Sequence, residues 1–277
     1  MLEESDLSAA QVEIICVGNE LLIGKILNTN AQWLAKKITC LGLSVRRITV
    51  VGDDLDEIAS AIREAIQRKP AFIITTGGLG PTFDDKTLEG VARALNRELE
   101  VNVEALEMIK KKYMKYVAEG RIEKFEMTPA RVKMATLPKD ARPLPNPVGT
   151  APGVLIEYED IKLVMLPGVP QEMKAIFENS VEPLLREIAG NLAFYEASLR
   201  VRGVPESELA PVIEQVMKDN PYVYIKSHPK ISEKTSHLEL HFSTTSEDPE
   251  VAKQRIGRAV LQISEIIRER GGKIEAA

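Results

Sequence analysis

Ala71-Phe72-Ile73-Ile74-Thr75-Thr76-Gly77-Gly78-Leu79-Gly80-Pro81-Thr82-Phe83-Asp84-Asp85 is the stretch whose reading decides the fold. An apolar run, a glycine-rich turn and an acidic pair spell a buried strand over Ala71–Thr75, a sharp turn, and the approach to a helix beginning near Thr87. Gly77, Gly78 and Gly80 have no Cβ, so the backbone can take positive φ and come close to a ligand. Successive N–H groups in such a turn form a nest for an anion, supported by the positive end of the following helix. Glycines also make tight turns that bind nothing. Three of them together, followed by paired aspartates, favour the binding role for Thr76, Gly77, Gly78, Leu79 and Gly80.

Outward from this turn the same grammar repeats. Val12–Val17 is an apolar run that stops at Gly18, and Ala31, Leu34, Ala35, Ile38 and Leu41 then fall on one helical face that ends at Gly42. Ser44–Val51 is a valine- and isoleucine-rich strand closed by Gly52. Leu55–Lys69 is a helix with Ile58, Ala61, Ile62, Ala65 and Ile66 as its apolar stripe. Successive β–α units imply a parallel sheet with right-handed crossovers, so the fold class is α/β, a mostly parallel sheet sandwiched by helices. Further on, Asn102–Val117 reads as a helix and Pro129–Met134 as a helical turn. Ala135–Pro152, with Pro138, Pro143, Pro145, Pro147 and Pro152, reads as loop. Gly153–Glu157 and Ile161–Leu166 are strands, and Pro170–Ile188 is one amphipathic helix.

After Ala189–Phe194 the pattern restarts as strand Ala197–Arg202, helix Ser207–Lys218, strands Val223–Lys226 and Ser236–Ser243, and helix Pro249–Arg268. The expected organisation is a disordered tail over 1–11, an α/β domain over 12–188 and a small α+β domain over 195–277. The β-α-β-β-α order of the last resembles KH modules, but no Gly-X-X-Gly loop joins consecutive helices, so RNA binding is not expected. His237, Glu239 and His241 share one strand face. They read as the exposed side of a half-buried strand rather than as metal ligands.

With 44% hydrophobic and 28% charged residues among 277, the composition is that of an ordinary globular protein. A net charge of −5 argues against nonspecific nucleic-acid binding. No run approaches the roughly 18 apolar residues of a membrane span, and the polar Met1–Gln11 does not read as a signal peptide. Cys16 and Cys40 are expected as small buried core residues rather than a disulfide framework, which points to a reducing, cytoplasmic compartment.

In a parallel sheet, ligands bind outside the carboxyl ends of the strands. Four such ends carry Gly18-Asn19-Glu20, Gly52-Asp53-Asp54, Thr75–Asp85 and Pro167-Gly168-Val169-Pro170-Gln171-Glu172. One of Asp84 and Asp85 is expected to cap the next helix, leaving the other to hold a divalent cation through hard oxygen ligands. Asp53 and Asp54 read equally as helix cap or as functional groups. Asn30 or Thr29 is an expected N-cap. The length of Gly18–Asn30, however, marks Glu20, Asn28 and Asn30 as candidates. Gly149 and Thr150 are further candidates in the turn Asn146–Gly153.

Four ordered blocks carry a resemblance: Gly18–Gly24 with Asn28–Ala31, Thr75–Thr87, Asn146–Gly153 and Leu166–Met173. They look like the successive signatures of the CinA family, and Gly203–Leu209 looks like part of that family's small second domain. The first domain is similar to the molybdopterin-binding fold of MoaB, MogA and MoeA proteins. Their Gly-Gly-Thr-Gly turn and Asp-X-Thr correspond to Gly77–Gly80 and Asp85-Lys86-Thr87, with Leu79 in the threonine's place. The resemblance implies a homo-dimer and a metal-dependent hydrolase of nucleotide pyrophosphates such as ADP-ribose and FAD. Asp85, Asp84, Glu20 and Asp53 would be the catalytic groups, Asp84 and Asp85 the metal ligands, and Gly168 part of the ligand site; Mg, Mn and Co are not distinguished. The alternative is a molybdopterin-binding protein or an adenylyltransferase of molybdenum-cofactor synthesis, and Leu79 tilts the expectation away from it. The ligand is thus a nucleotide or pterin, with neither nucleic acid nor membrane as partner. The family's nicotinamide-nucleotide deamidase activity is not expected, because the sequence up to Ala277 leaves no room for the domain that carries it.

Overall fold

Four parallel strands run through the centre of the first of two compact units, in a computed structural model that describes residues 10–231 and 236–276. The first unit covers most of the chain up to Ala189, the second Gly190 onward with Cys40–Gly42. Residues 1–9 of the expected tail lie outside the described residues, and Gln11 already pairs with Ser44 as the first residue of a strand.

The first unit begins β1 (Gln11–Val17), α1 (Asn19–Leu22), α2 (Thr29–Cys40), β2 (Ser44–Val51), α3 (Leu55–Gln67), β3 (Phe72–Thr76) and α4 (Thr87–Ala94). It continues with β4 (Leu99–Val101), α5 (Val103–Ala118), α6 (Pro129–Lys133), β5 (Thr136–Pro138), β6 (Arg142–Leu144), β7 (Gly153–Tyr158) and β8 (Ile161–Leu166). The last segment is α7 (Pro170–Ile176), a π-helical turn Phe177–Val181 and α8 (Glu182–Ala189).

The main sheet has the order β2-β1-β3-β8-β7-β6; the first four strands are parallel, and β7 and β6 run antiparallel at one side. Every residue of β3 is buried, as a parallel strand covered on both faces requires. Ile15, Val17, Ile73, Leu163 and Met165 pack with Ile58 and Ile62 of α3 and Val91 of α4. Their alternates Ile14, Cys16, Ile74, Val164 and Leu166 face the other way and are equally buried. Asp54 caps α3, accepting from Asp56 N at 2.9 Å and Glu57 N at 3.1 Å, and holds its own carboxyl below the usual carboxylate range by doing so. Of its two readings, Asp54 takes the cap.

Three expectations for this unit change. The proline-rich stretch contains β5 and β6, each only three residues long. Pro138 and Pro143 are tolerated because β5 belongs to a two-stranded ribbon with β4 and β6 is the edge of the main sheet. The helix expected over Pro170–Ile188 is widened at Phe177–Val181. Phe177, Val181 and Leu185 recur every four residues, and the wider turn keeps all three buried while Phe177 meets Trp33 edge-on at 5.3 Å. Cys40 is exposed, whereas Cys16 is buried and its thiol is pushed up by that burial.

The second unit contains β9 (Ala193–Arg202), α9 (Glu206–Asp219), β10 (Tyr224–Ile231), β11 (Ser236–Ser246), α10 (Pro249–Glu269) and β12 (Lys273–Ala276). Its antiparallel sheet has the order β10-β11-β9-β12. Leu238, Leu240 and Phe242 point to the helices, with Val201, Leu209, Val216, Ile263 and Ile267 in the same core. The strand expected to stop at Lys226 runs on through Pro229, because β10 is an edge strand. β12 carries no apolar run and was not expected.

Candidate functional site

In the strand order the chain leaving β1 crosses to β2 on one side and the chain leaving β3 goes on to β7 and β8 on the other, which opens a crevice at the carboxyl ends of β1 and β3. Gly18 follows one strand and Gly77 the other. Gly77 N–H donates to Leu166 O at 3.0 Å, which ties the turn to the end of β8.

Gly77 and Gly78 have φ of +103° and +68°. A Cβ on Gly77 would collide with the carbonyl oxygen of Val17, and one on Gly78 with the hydroxyl of Thr87, so only glycine fits either position. Thr87 Oγ1 donates to Gly77 O at 2.7 Å, and Thr87 N–H donates to Gly78 O at 3.1 Å. Both carbonyls are thereby turned away from the crevice. Among the described residues, the N–H groups of Gly78, Leu79 and Gly80 donate to no protein acceptor. The side chain of Leu79, 3% exposed, lies in the hydrophobic core. Leu79 therefore offers a ligand its backbone alone.

Neither Asp84 nor Asp85 caps α4. The capping position is Lys86, which makes no side-chain bond to the helix. Asp85 instead accepts from Thr82 N–H at 2.8 Å and from the Thr82 hydroxyl, which also contacts Asp84. The Thr82 hydroxyl holds the Asp84 carboxyl below the usual carboxylate range. Lys133 closes the loop from α6, donating to Asp85 O at 2.7 Å and to Thr82 O.

A cavity of about 380 Å³ gathers most of the expected site. Glu20, Asp53, Asp84 and Asp85 border it, as do Gly77, Gly78, Leu79 and Gly80, with Thr150 and Gly168 on the far wall. Asp53 is held there by Asn19 N–H, which donates to its Oδ2 at 2.8 Å. Asn28, Asn30 and Thr76 line a smaller adjoining pocket of about 90 Å³ together with Glu20, Gly77 and Gly168. Asn28 is the cap of α2, accepting from Ala31 N–H at 3.1 Å, where Asn30 or Thr29 was expected. Asn30 lies inside that helix and donates to Gly168 O at 2.8 Å and Thr76 Oγ1 at 3.0 Å. Gly149 donates its N–H to Asn146 Oδ1 at 2.7 Å and lines a different cavity beside Lys112, while a Cβ on it would collide with the Glu172 carboxylate that borders the first cavity.

Three participants were not anticipated. Glu172 adds a fifth carboxylate to the cavity, and Asn146 Nδ2 donates to it at 2.7 Å. Thr87 and Lys133 fix the two ends of the turn. Glu172 and Thr87 both lie inside the signature blocks, but only contacts distant in sequence reveal their work. Across the glycine turn lies a second cavity of about 510 Å³, which shares Gly78, Leu79, Gly80 and Asp85 with the first and is lined further by Leu88, Leu99, Met127 and Val132. Asp84 and Asp85 meet at the Thr82 hydroxyl, and Glu20, Asp53 and Glu172 border the same cavity. Among the described residues no group of three or more His, Cys, Asp or Glu side chains is placed to hold a metal ion, so the residues present do not form a ready-made metal centre. Nor is any described helix long and apolar enough to cross a membrane.

Residues 13–187 match the model of a family described as a probable molybdopterin binding domain. A protein of Pyrobaculum arsenaticum is 49% identical over 262 residues, which is 94% of this chain and 95% of that one. The crystal structure of the protein CinA, of unknown function, from Thermoplasma acidophilum is 44% identical and covers 64% of this chain and 98% of its own, with a TM-score of 0.58. The molybdopterin biosynthesis enzyme MoaB from Thermus thermophilus is 18% identical over 65% of this chain and 97% of its own, with a TM-score of 0.43. The chain belongs to the molybdopterin-binding-domain family, in its CinA-like form.

Proposed function

We propose that the first unit binds a pterin bearing a terminal phosphate, of the molybdopterin type, with the phosphate on the Gly77–Gly80 turn. The observation that carries this reading is the set of three unengaged N–H groups at Gly78, Leu79 and Gly80, presented where two strand ends diverge. The apolar cavity on the other side of the turn is large enough for a fused ring. Leu79 does not count against a pterin, since its side chain is 3% exposed and packed in the hydrophobic core. Family membership supports the same class of ligand. Whether the bound pterin is carried or adenylylated is a separate question, answered by adding ATP and looking for pyrophosphate release.

Calorimetry with molybdopterin and, separately, ADP-ribose tests the reading. Micromolar binding of the pterin, lost in Gly78→Ala and retained in Asp84→Asn, is expected. Binding of ADP-ribose with none of molybdopterin would overturn it.

A second reading, metal-dependent hydrolysis of nucleotide pyrophosphates, is favoured by the five carboxylates at the cavity, Glu20, Asp53, Asp84, Asp85 and Glu172. Its weakness is the lack of a converging metal set among the described residues. A 31P NMR survey of ADP-ribose and FAD with Mg, Mn and Co decides it: cleavage that disappears in Asp85→Ala supports hydrolysis, and no cleavage with any metal removes it.

A further inference from the structure

Both helices of the second unit pack on one face of its sheet, and on the other face the outermost row holds three cations, Lys230, Arg202 and Lys273, and one imidazole, His237. The register sets Lys230 of β10 opposite His237 of β11, His237 beside Arg202 of β9, and Arg202 opposite Lys273 of β12. The His237–Arg202 step follows from the Leu238–Val201 pair next to it. Like charges placed directly across strands destabilise a sheet, so the Arg202–Lys273 pair has a cost that folding alone does not explain. Among the described residues Arg202 Nε and His237 Nδ1 have no hydrogen-bond partner although both atoms are buried, and a buried atom left so carries a desolvation cost. The row spans three inter-strand steps, about 14 Å.

Behind it, the same face carries Arg200 and Lys226, balanced by Glu196, Glu239 and Glu275. Those acids pair with some of the cations, Glu275 lying 3.5 Å from Arg202 and 3.8 Å from Arg200 and Glu239 3.6 Å from Lys230, in half-exposed ion pairs that a polyanion can displace. Glu196 pairs with His241 at 3.3 Å, and His241 also meets Ser198 Oγ at 3.1 Å, so this one of the two histidines singled out in the sequence is committed to its neighbours. Glu233 and Lys234, one charge of each sign, lie outside the described residues. Tyr224, 59% exposed, and His228 add rings to the face.

We propose that this face binds the phosphodiester backbone of a single-stranded nucleic acid, with Lys230, His237, Arg202 and Lys273 along the phosphates. A small anion would need a concavity to bury it. The cavities described above, at the glycine turn and beside Lys112, are lined by residues of the first unit. A straight row of cations on an open sheet, with rings beside it, matches an extended polymer of negative charge whose bases stack on aromatic side chains. The overall charge of −5, which argues against nonspecific nucleic-acid binding in the sequence, is an average over the whole chain, whereas the anion meets the local row.

The test is fluorescence anisotropy of the full chain with labelled oligouridine and oligodeoxythymidine of about 15 nucleotides, titrated with salt. The expected result is binding at low salt that weakens as salt rises, with a log–log slope reduced by about 0.7 for each of Lys230→Gln and Lys273→Gln. Both lysines are exposed, so these variants leave the core intact. Arg202→Gln is expected to weaken binding about tenfold. Lys253→Gln, on α10 and paired with Glu250, is the control and is expected to change nothing. Absence of binding at low salt overturns the proposal, as does binding that the lysine variants leave untouched. Competition by inorganic triphosphate as effective as that of the oligomer would reassign the row to small anions and overturn it equally.

Discussion

Strand β3 and strand β11 both sit inside their sheets, yet one is buried at every residue and the other at alternate residues. β3 is parallel to both neighbours and covered on both sides; β11 is antiparallel to both and covered on one. The difference decides where each unit can meet a ligand. A sheet with two covered faces has only its strand ends to offer, so chemistry in the first unit collects in the turns after β1, β2, β3 and β8. A sheet with one open face can use the face itself, and in the second unit the charged residues lie there.

The largest expected effect tests this burial contrast. Ile73→Ala and Ile74→Ala, on opposite faces of β3, should each cost about 2–5 kcal/mol in urea unfolding. In β11, Phe242→Ala should cost about 3–5 kcal/mol, whereas His241→Ala should stay within about 0.5 kcal/mol. A loss at His241 equal to that at Phe242 would mean that the face is covered and the contrast fails.

Glycine substitutions sharpen it next. Gly77→Ala forces a Cβ onto the Val17 carbonyl at a positive φ and should cost about 3 kcal/mol or more. Gly24→Ala, also at positive φ but with nothing near its Cβ, should cost about 1–2 kcal/mol. Equal losses would show that only the backbone angle matters at the turn. Thr87→Val leaves the buried Gly77 carbonyl unpaired and should cost about 1–3 kcal/mol, with weaker pterin binding measured calorimetrically.

Smallest is Asp54→Ala, which removes the α3 cap and should lower Tm by about 3 °C at neutral pH. The folded state holds this carboxyl below its ordinary value, so its contribution is present above the unfolded pKa and lost as pH falls through the folded one. The difference between Asp54→Ala and the parent chain should therefore shrink in thermal melts below about pH 4.

Much of the first unit was readable because its elements are long and periodic. The apolar run of β1 and the stripe Ile58, Ala61, Ile62 and Ala65 of α3 each announce themselves within a single window. β5, β6 and β12 did not, being three or four residues long, two of them with proline, and existing only because a distant strand pairs with them. The site divides the same way. Gly77, Gly78 and Gly80 stand out by composition, and strand-end logic brings Glu20, Asp53 and Gly168 to them. The burial of Leu79, the bond from Thr87 and the pairing of Asn146 with Glu172 are products of packing, and nothing local to those residues reports them.

Glu13 and Arg68 lie far from either candidate site, yet their pairing constrains how far the first unit can be altered. Glu13 is 1% exposed in the middle of β1, and Arg68 just beyond α3 forks onto both its oxygens at 2.7 Å. The arginine lies just before the chain turns back to enter β3, so this one contact clamps the amino end of the sheet while the glycine turns occupy the opposite end. Deleting Arg68 alone would strand a charge in hydrocarbon, which costs about 3–5 kcal/mol. Replacing both partners by apolar side chains of similar volume would not leave that charge behind. The order of change therefore matters: a lineage that loses Arg68 first passes through an unstable intermediate, whereas Arg68, 21% exposed and within 4.0 Å of Glu64, is the partner better able to stand alone.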